Sequence, residues 1–308
     1  LGSKGATEHA ARVKGELTHH HLKHMAYDIQ IEADNILGYN FPKMEDLNFC
    51  GTVYASGTAH IYGQPGQVNI DVKGTPQSGT TLVYDASSPV TVTDANFITY
   101  VSHRDSLAHQ QQEEAEVEEA TESDMHLNFD LDVTPEATMQ VPMDAKSGDY
   151  INLYGNGRIL ANYYNKGKFQ MYGTYRVDHG QYKLSLQDVI RKDFAFRPGG
   201  TITFGGDPGK AALQLTAVYT VPNVSLEDLS SSSLGLSNTR VDCVMNIGGE
   251  AFSPSISFDF DLPNANEDEK RMVRAMLSTD EERNMQVIYL LGIGRFYNQN
   301  AQMQNAAS

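Results

Sequence analysis

The residue types that most invite chemistry are scattered. His19, His20, His21 and His24 form the one histidine cluster, and neutral imidazoles are common zinc ligands. Neighbouring strand residues point to opposite faces, so three in a row converge on a metal only where the backbone turns. A solvated loop is the simpler reading. Gln110 to Gln112 lead into the acidic run EEAEVEEATESD, which lacks the Asp/Asn/Gly alternation of a calcium loop. It reads as a solvated loop or loose helix. Gly209-Lys210 is followed by Ala211, and Phe204 stands where a phosphate loop needs its first glycine. Gly155-Asn156-Gly157 lacks the third glycine and the βαβ setting of a dinucleotide fingerprint. Cys50 and Cys243 make neither a disulfide framework nor a zinc site. Each falls in a strand pattern and reads as a small buried apolar residue, although a bridge in an oxidising compartment stays open. No nucleophile elbow or Cys/His pair stands out, and nothing places two carboxylates across a cleft. The expectation is no catalytic residue, no metal, no cofactor and no enzyme.

The elements that would position any site are almost all strands. From Phe194 to Val221 the chain reads FAFRPGGTITFGGDPGKAALQLTAVYTV, with apolar residues at every second position. This predicts three strands joined by two tight turns, at Pro198-Gly199-Gly200 and Gly205 to Lys210. Residues 1–18 read as a strand lead-in. Ala26 to Glu32, Phe49 to Tyr62 (with a bend or bulge at Gly57) and Gln67 to Lys73 alternate before the acidic run. Thr80 to Tyr84 and Ala95 to Val101 are weaker strands. After it, Asp124 to Val133, Ala137 to Val141, Tyr150 to Leu160 and Lys168 to Val177 alternate, with Asp178-His179-Gly180 read as a hairpin turn. Val241 to Ile247 and Ile256 to Leu262 follow a Ser230 to Ser233 loop. Only the end is helical. Asn266 to Leu277 forms one helix, and Thr279 with Glu282 caps a second reaching about Gly292 with the stripe Met285, Ile288 and Leu291, widened by Val287 and Leu290.

The net charge of −16 and pI near 4.9 disfavour nucleic acid and anionic headgroup surfaces. No apolar run approaches a membrane span, no leader or anchor is visible, and the polar end reads as the edge of a fragment. The organisation expected is a first β part over 1–103, an acidic insertion over 104–124, a second β part over 125–263, a helical segment over 264–297 and a polar tail over 298–308.

Roughly fifteen strands stacked about 4.8 Å apart would make a sheet some 70 Å long, more than open sheets sustain without curling. The fold class is therefore all-β: an elongated, curled, antiparallel-type sheet with two short helices near the C-terminus. It closes either as a sandwich or as an open trough with an apolar concave face.

The segment Phe194 to Tyr219 resembles the signature of the C-terminal domain of TamB, the translocation and assembly module protein of Gram-negative envelopes. Asn48 to Tyr62, Gly79 to Thr81, Phe97-Ile98, Leu131 to Ala137 (LDVTPEA), Gly173 to Tyr182 (GTYRVDHGQY) and Gly248 to Leu262 are similar to its Bacteroidetes branch, so the likeness spans most of 25–295. The resemblance implies a β-taco shared with AsmA-type lipid-transfer proteins, in which the two β parts form a trough. It also implies a periplasmic setting with an inner-membrane anchor, a TamA-like outer-membrane barrel as partner, and phospholipid acyl chains as cargo. The lipid groove is then expected to be lined by Leu127, Phe129, Leu131, Leu213, Leu215, Tyr219, Val241, Met245, Ile247, Ile256, Phe258 and Phe260. A charge at Phe129 or Leu215 should stop transport with folding largely intact. The alternative is assembly of outer-membrane or secreted proteins by β-strand augmentation at exposed edges, including those near the C-terminal end.

Overall fold

Period-two patterning dominates the chain, and in the computed structural model the described strands accordingly form one fourteen-stranded sheet. The structure describes residues 10–21, 23–41, 49–84, 123–144, 149–186, 190–229 and 238–298. The strands are β1 (Ala10–His20), β2 (Lys23–Phe41), β3 (Phe49–Gln64), β4 (Gln67–Pro76), β5 (Thr81–Tyr84), β6 (Asp124–Val133) and β7 (Thr138–Asp144). They continue as β8 (Asp149–Tyr164), β9 (Gln170–Leu186), β10 (Ile190–Phe196), β11 (Thr201–Gly206), β12 (Ala212–Ser225), β13 (Asn238–Glu250) and β14 (Ser253–Asp261). Two helices follow, α1 (Glu267–Met276) and α2 (Asp280–Ile293). The main path runs β1-β2-β3-β4-β6-β8-β9-β10-β12-β13-β14, with β5 and β7 continuing β4 and β6, and β11 continuing β10.

The sheet is not antiparallel throughout. β4 pairs with β6, and β5 with β7, in parallel. Parallel neighbours need a crossover connection, and the residues joining these strands lie in 85–122. The expected Ala95 to Val101 strand and nearly all of the acidic run fall there, outside the described residues, as does the Ser230 to Ser233 loop.

Two expected turns are bulges. β10 and β11 run in line along β9, from Ile190↔Leu186 to Gly206↔Met171, so Arg197 to Gly200 interrupts one long strand rather than reversing it. Gly199 at φ +93° and its N–H to the Val177 carbonyl hold the interruption in the ladder. β9 likewise passes straight through Asp178-His179-Gly180, with one extra residue opposite Tyr154 and Gly155. β2 outruns its predicted end because bulges after Ala33 and Leu37, with Asn35 at φ +47°, reset the alternation. The Gly205 to Lys210 turn is a true reversal. Asp207 caps its 3-10 turn by accepting from the Gly209 N–H at 2.9 Å.

The sheet curls strongly. β10 and β14 are three positions apart, which in a flat sheet is about 14 Å. The rings of Phe194 and Phe258 nevertheless lie 6.5 Å apart. Tyr84 on β5 stacks on Phe252 of the β13–β14 turn at 6.3 Å, where a flat sheet would separate them by roughly 30 Å.

Both helices carry full capping boxes, Asn266/Glu269 and Thr279/Glu282, and Gly294 closes α2 in the left-handed conformation. α2 packs on β14, β10 and β13. Its buried side is Gln286, Val287, Leu290 and Leu291, whereas Met285 and Ile288 are 38% and 48% exposed. The expected Val287, Leu290 and Leu291 therefore face inward and the expected Met285 and Ile288 do not, a rotation within the expected stripe. The contact with β14 sets it: Asn284 accepts from the Phe258 N–H at 3.1 Å, turning the next residues inward. The buried Gln286 amide is satisfied both ways by the Tyr297 backbone.

Candidate functional site

Strand register places the apolar residues of the sheet on one face. Val13, Ile31, Ala59, Val72, Phe129, Ala161 and Met171 form a single cross-strand row from β1 to β9. A second row, Ala217, Met245 and Phe258, crosses β12 to β14 in the same phase. Glycines keep this face low where strands approach closely. At Gly57 (φ +150°) a Cβ would sit 2.1 Å from the Lys73 carbonyl oxygen. The opposite face is polar. Arg158 grips Asp130 through two hydrogen bonds of 2.8 and 2.7 Å, Asn128 donates to Asp71, and His60 meets Asp28 at 3.1 Å. The Arg158 guanidinium holds the Asp130 carboxyl below its ordinary range.

The apolar face is open at one end and covered at the other. Val13 and Leu17 on β1 are each 60% exposed. Ile31, Ile70, Leu127, Phe129 and Leu131 are half-buried. Ile159, Ala161 and Tyr163 on β8 are buried, and from Phe194 onward the face merges with Val287, Leu290 and Leu291 of α2 in one packed core. Each α2 residue fully withdrawn from water contributes about 1.5–3 kcal/mol.

The twelve residues expected to line a groove divide along this gradient. Leu127, Phe129 and Leu131 sit on the open part, outside the packed core. Leu215, Val241, Met245 and Ile247 are inside that core, and Leu213, Tyr219, Phe258 and Phe260 pack against it half-buried. Ile256 is in phase but 43% exposed. Leu215, at 5% exposure, does not tolerate a charge without loss of packing, contrary to the expectation from alternation alone. Ile29, Ile31, Ile61, Ile70 and Val72 belong to the same face. Their alternation was legible, but the parallel β4–β6 seam that joins them to Leu127 and Phe129 was not.

Cys50 and Cys243 are both buried. Burial pushes the Cys243 thiol up to about 12, with Asp242 adding to the shift. Burial also raises Tyr84 to about 12 and Tyr175 further still. The histidine cluster is the β1–β2 hairpin rather than a loop, with His21 in its turn at φ +49°; the side chains of His20 and His24 lie outside the described residues. Among the described residues no three His, Cys, Asp or Glu side chains gather to hold a metal ion. None of the described helices is long and apolar enough to cross a membrane.

No curated protein and no solved structure matches the chain. The family model of the TamB C-terminal domain matches residues 1–308, the whole chain. That family is associated with the bacterial envelope, works in general with TamA-like partners and is a non-enzymatic assembly and transport module. A curled sheet with one continuous apolar face, helix-covered at one end, is the form its sequence takes here: the chain belongs to the TamB C-terminal domain family, with a role in the translocation and assembly module of the outer membrane.

Proposed function

We propose that this chain is part of a periplasmic bridge that carries phospholipids along its apolar face, working with a TamA-like outer-membrane barrel, in a protein anchored in the inner membrane. The observation that carries the reading is the in-register apolar row from Val13 to Met171, half-exposed over β1 to β6. An acyl chain kept from water gains about 0.8 kcal/mol per CH₂. A continuous track lets it move without re-solvation, so no catalytic group is needed. The groove lining in this reading is the set Leu127, Phe129, Leu131 and their neighbours on the open part, ending where Leu213, Tyr219, Phe258 and Phe260 pack against the helix-covered core.

The test is native mass spectrometry with lipid extraction on the 308-residue chain. Co-purifying phospholipid that is lost in Phe129→Asp, with the fold retained, supports the conduit. A folded chain that carries no lipid overturns it.

Strand augmentation is the second reading, and the edge that supports it is β1 rather than one near the C-terminal end. At the β14 edge the Phe258 N–H is capped by Asn284, so that edge is guarded. Among the described strands β1 ends the sheet on the other side, and its described side chains are exposed throughout. Proline substitutions along β1 that abolish substrate assembly while leaving bound lipid unchanged would favour this reading.

A further inference from the structure

One charged side chain interrupts the inner face. Among the described side chains in phase with the apolar rows, Lys192 on β10 is the only charged one. It pairs in register with Leu184 and precedes Phe194 on the same face. It is half-buried. Its Nζ donates to the Tyr219 hydroxyl at 3.1 Å and lies 4.9 Å from the centre of that ring. Among the described residues it forms no ion pair with a carboxylate. Asp193 and Asp242 are out of phase, on the outer face, and Asp242 is held by Arg240 and Thr220. Cys243, opposite Tyr219 in register, is a neutral buried thiol and supplies no counter-charge.

An ammonium partly withdrawn from water and facing only neutral groups is costly unless an anion completes it. The Tyr219 hydroxyl accepts from Lys192 and keeps its own proton to donate. Two donors therefore converge on one point of an otherwise apolar wall, and α2 touches the same strand. We propose that Lys192 and Tyr219 form an anion subsite at the helix-covered end of the inner face. It takes the phosphate headgroup of a lipid whose acyl chains lie along the apolar rows toward β1. This rests on the conduit reading.

The experiment incubates the 308-residue chain with vesicles holding phosphatidylglycerol and diacylglycerol of the same chains in equal amounts, followed by native mass spectrometry. A separate arm uses inorganic phosphate alone. The wild type should retain phosphatidylglycerol over diacylglycerol about tenfold, the size of one charge-assisted hydrogen bond. Lys192→Met, close in volume, should bind both equally with a thermal melt no lower than that of the wild type. Lys192→Arg should keep the preference, and Tyr219→Phe should reduce it. Equal retention by the wild type, or a preference that survives Lys192→Met, overturns the subsite while leaving the conduit standing. Lys192-dependent binding of inorganic phosphate without any lipid preference also overturns it. Retention of neither lipid overturns the subsite and the conduit together.

Discussion

Phe129 and Leu215 lie in the same phase of the same sheet, and the structure predicts opposite outcomes when each is made Asp. Phe129 is half-buried on β6, outside the packed core. Losing its ring forfeits about half of the 1.5–3 kcal/mol of a fully buried side chain, so about 1 kcal/mol. The new carboxylate reaches water, and its added cost stays near another 1 kcal/mol or so. Leu215 is 5% exposed inside the packed core, paired with Ile247 and lying against Gly200. Removing the isobutyl group costs about 2–5 kcal/mol. Burying an unpaired carboxylate adds several more or forces it to stay protonated. The total is comparable with the roughly 5–15 kcal/mol that holds a domain folded. Thermal and urea unfolding followed by circular dichroism measures both. Phe129→Asp should shift the urea midpoint modestly, and Leu215→Asp should leave little folded protein. Equal, large losses would show that the face is closed over at β6 and that no groove exists there. Equal, small losses would show that α2 and β14 do not seal the other end.

Other predictions follow from individual side chains. The Tyr175 hydroxyl is buried with no hydrogen-bond partner among the described residues, so Tyr175→Phe should raise stability by about 1 kcal/mol, read in a urea melt; a loss would mean the hydroxyl is satisfied. Burial works against ionisation of Asp242, but hydrogen bonds from Arg240 and Thr220 outweigh it and leave the carboxyl below its ordinary range. A depressed folded-state pKa contributes stability above the unfolded value of about 3.9 and loses it as pH falls through the folded value. Asp242→Asn should therefore be less stable than wild type at pH 7, with the gap closing below about pH 4; a gap independent of pH would refute the ion pair. Cys243, with its thiol pushed up to about 12 by burial, should resist alkylation by iodoacetamide at pH 8 in the folded chain and react only in denaturant. Asn284→Ala uncaps the Phe258 N–H and should cost about 1 kcal/mol, with faster amide exchange at Phe258 as the specific sign.

Alternation exposed the all-β class and the apolar face, and helical spacing with the Thr279/Glu282 cap exposed the two helices, because side-chain phase and capping are local properties. It failed wherever the backbone added a residue. Pro198-Gly199-Gly200 and Asp178-His179-Gly180 carry turn chemistry, yet each is an insertion within a longer pairing that only the β9 register discloses. The reset at Asn35 hid the second half of β2 for the same reason. The parallel seam is a long-range fact with no local signal, since β4 and β6 read identically in either direction. The site was half legible. The phase of Leu127 and of Met245 was plain, but their different fates depend on where α2 lies. Lys192 was passed over because one lysine in a strand pattern looks like a solvated position until its neighbours fix its face.

The two ends of the sheet are unlike, and this couples the two functional readings. At β14 the edge is capped by Asn284 and the face is filled by Val287, Leu290 and Leu291, so neither a strand nor an acyl chain enters there without displacing α2. At β1 the edge and the face are open together, with Val13 and Leu17 60% exposed. Side-chain phase is continuous across paired strands. A strand added to β1 with its own apolar residues in phase would therefore lengthen the apolar face by about 4.8 Å as it pairs. Strand addition and acyl-chain carriage are then not rival uses of separate surfaces. The main-chain pairing that extends the sheet at β1 also extends the track, and the polarity of the molecule, open at β1 and sealed under α2, is common to both.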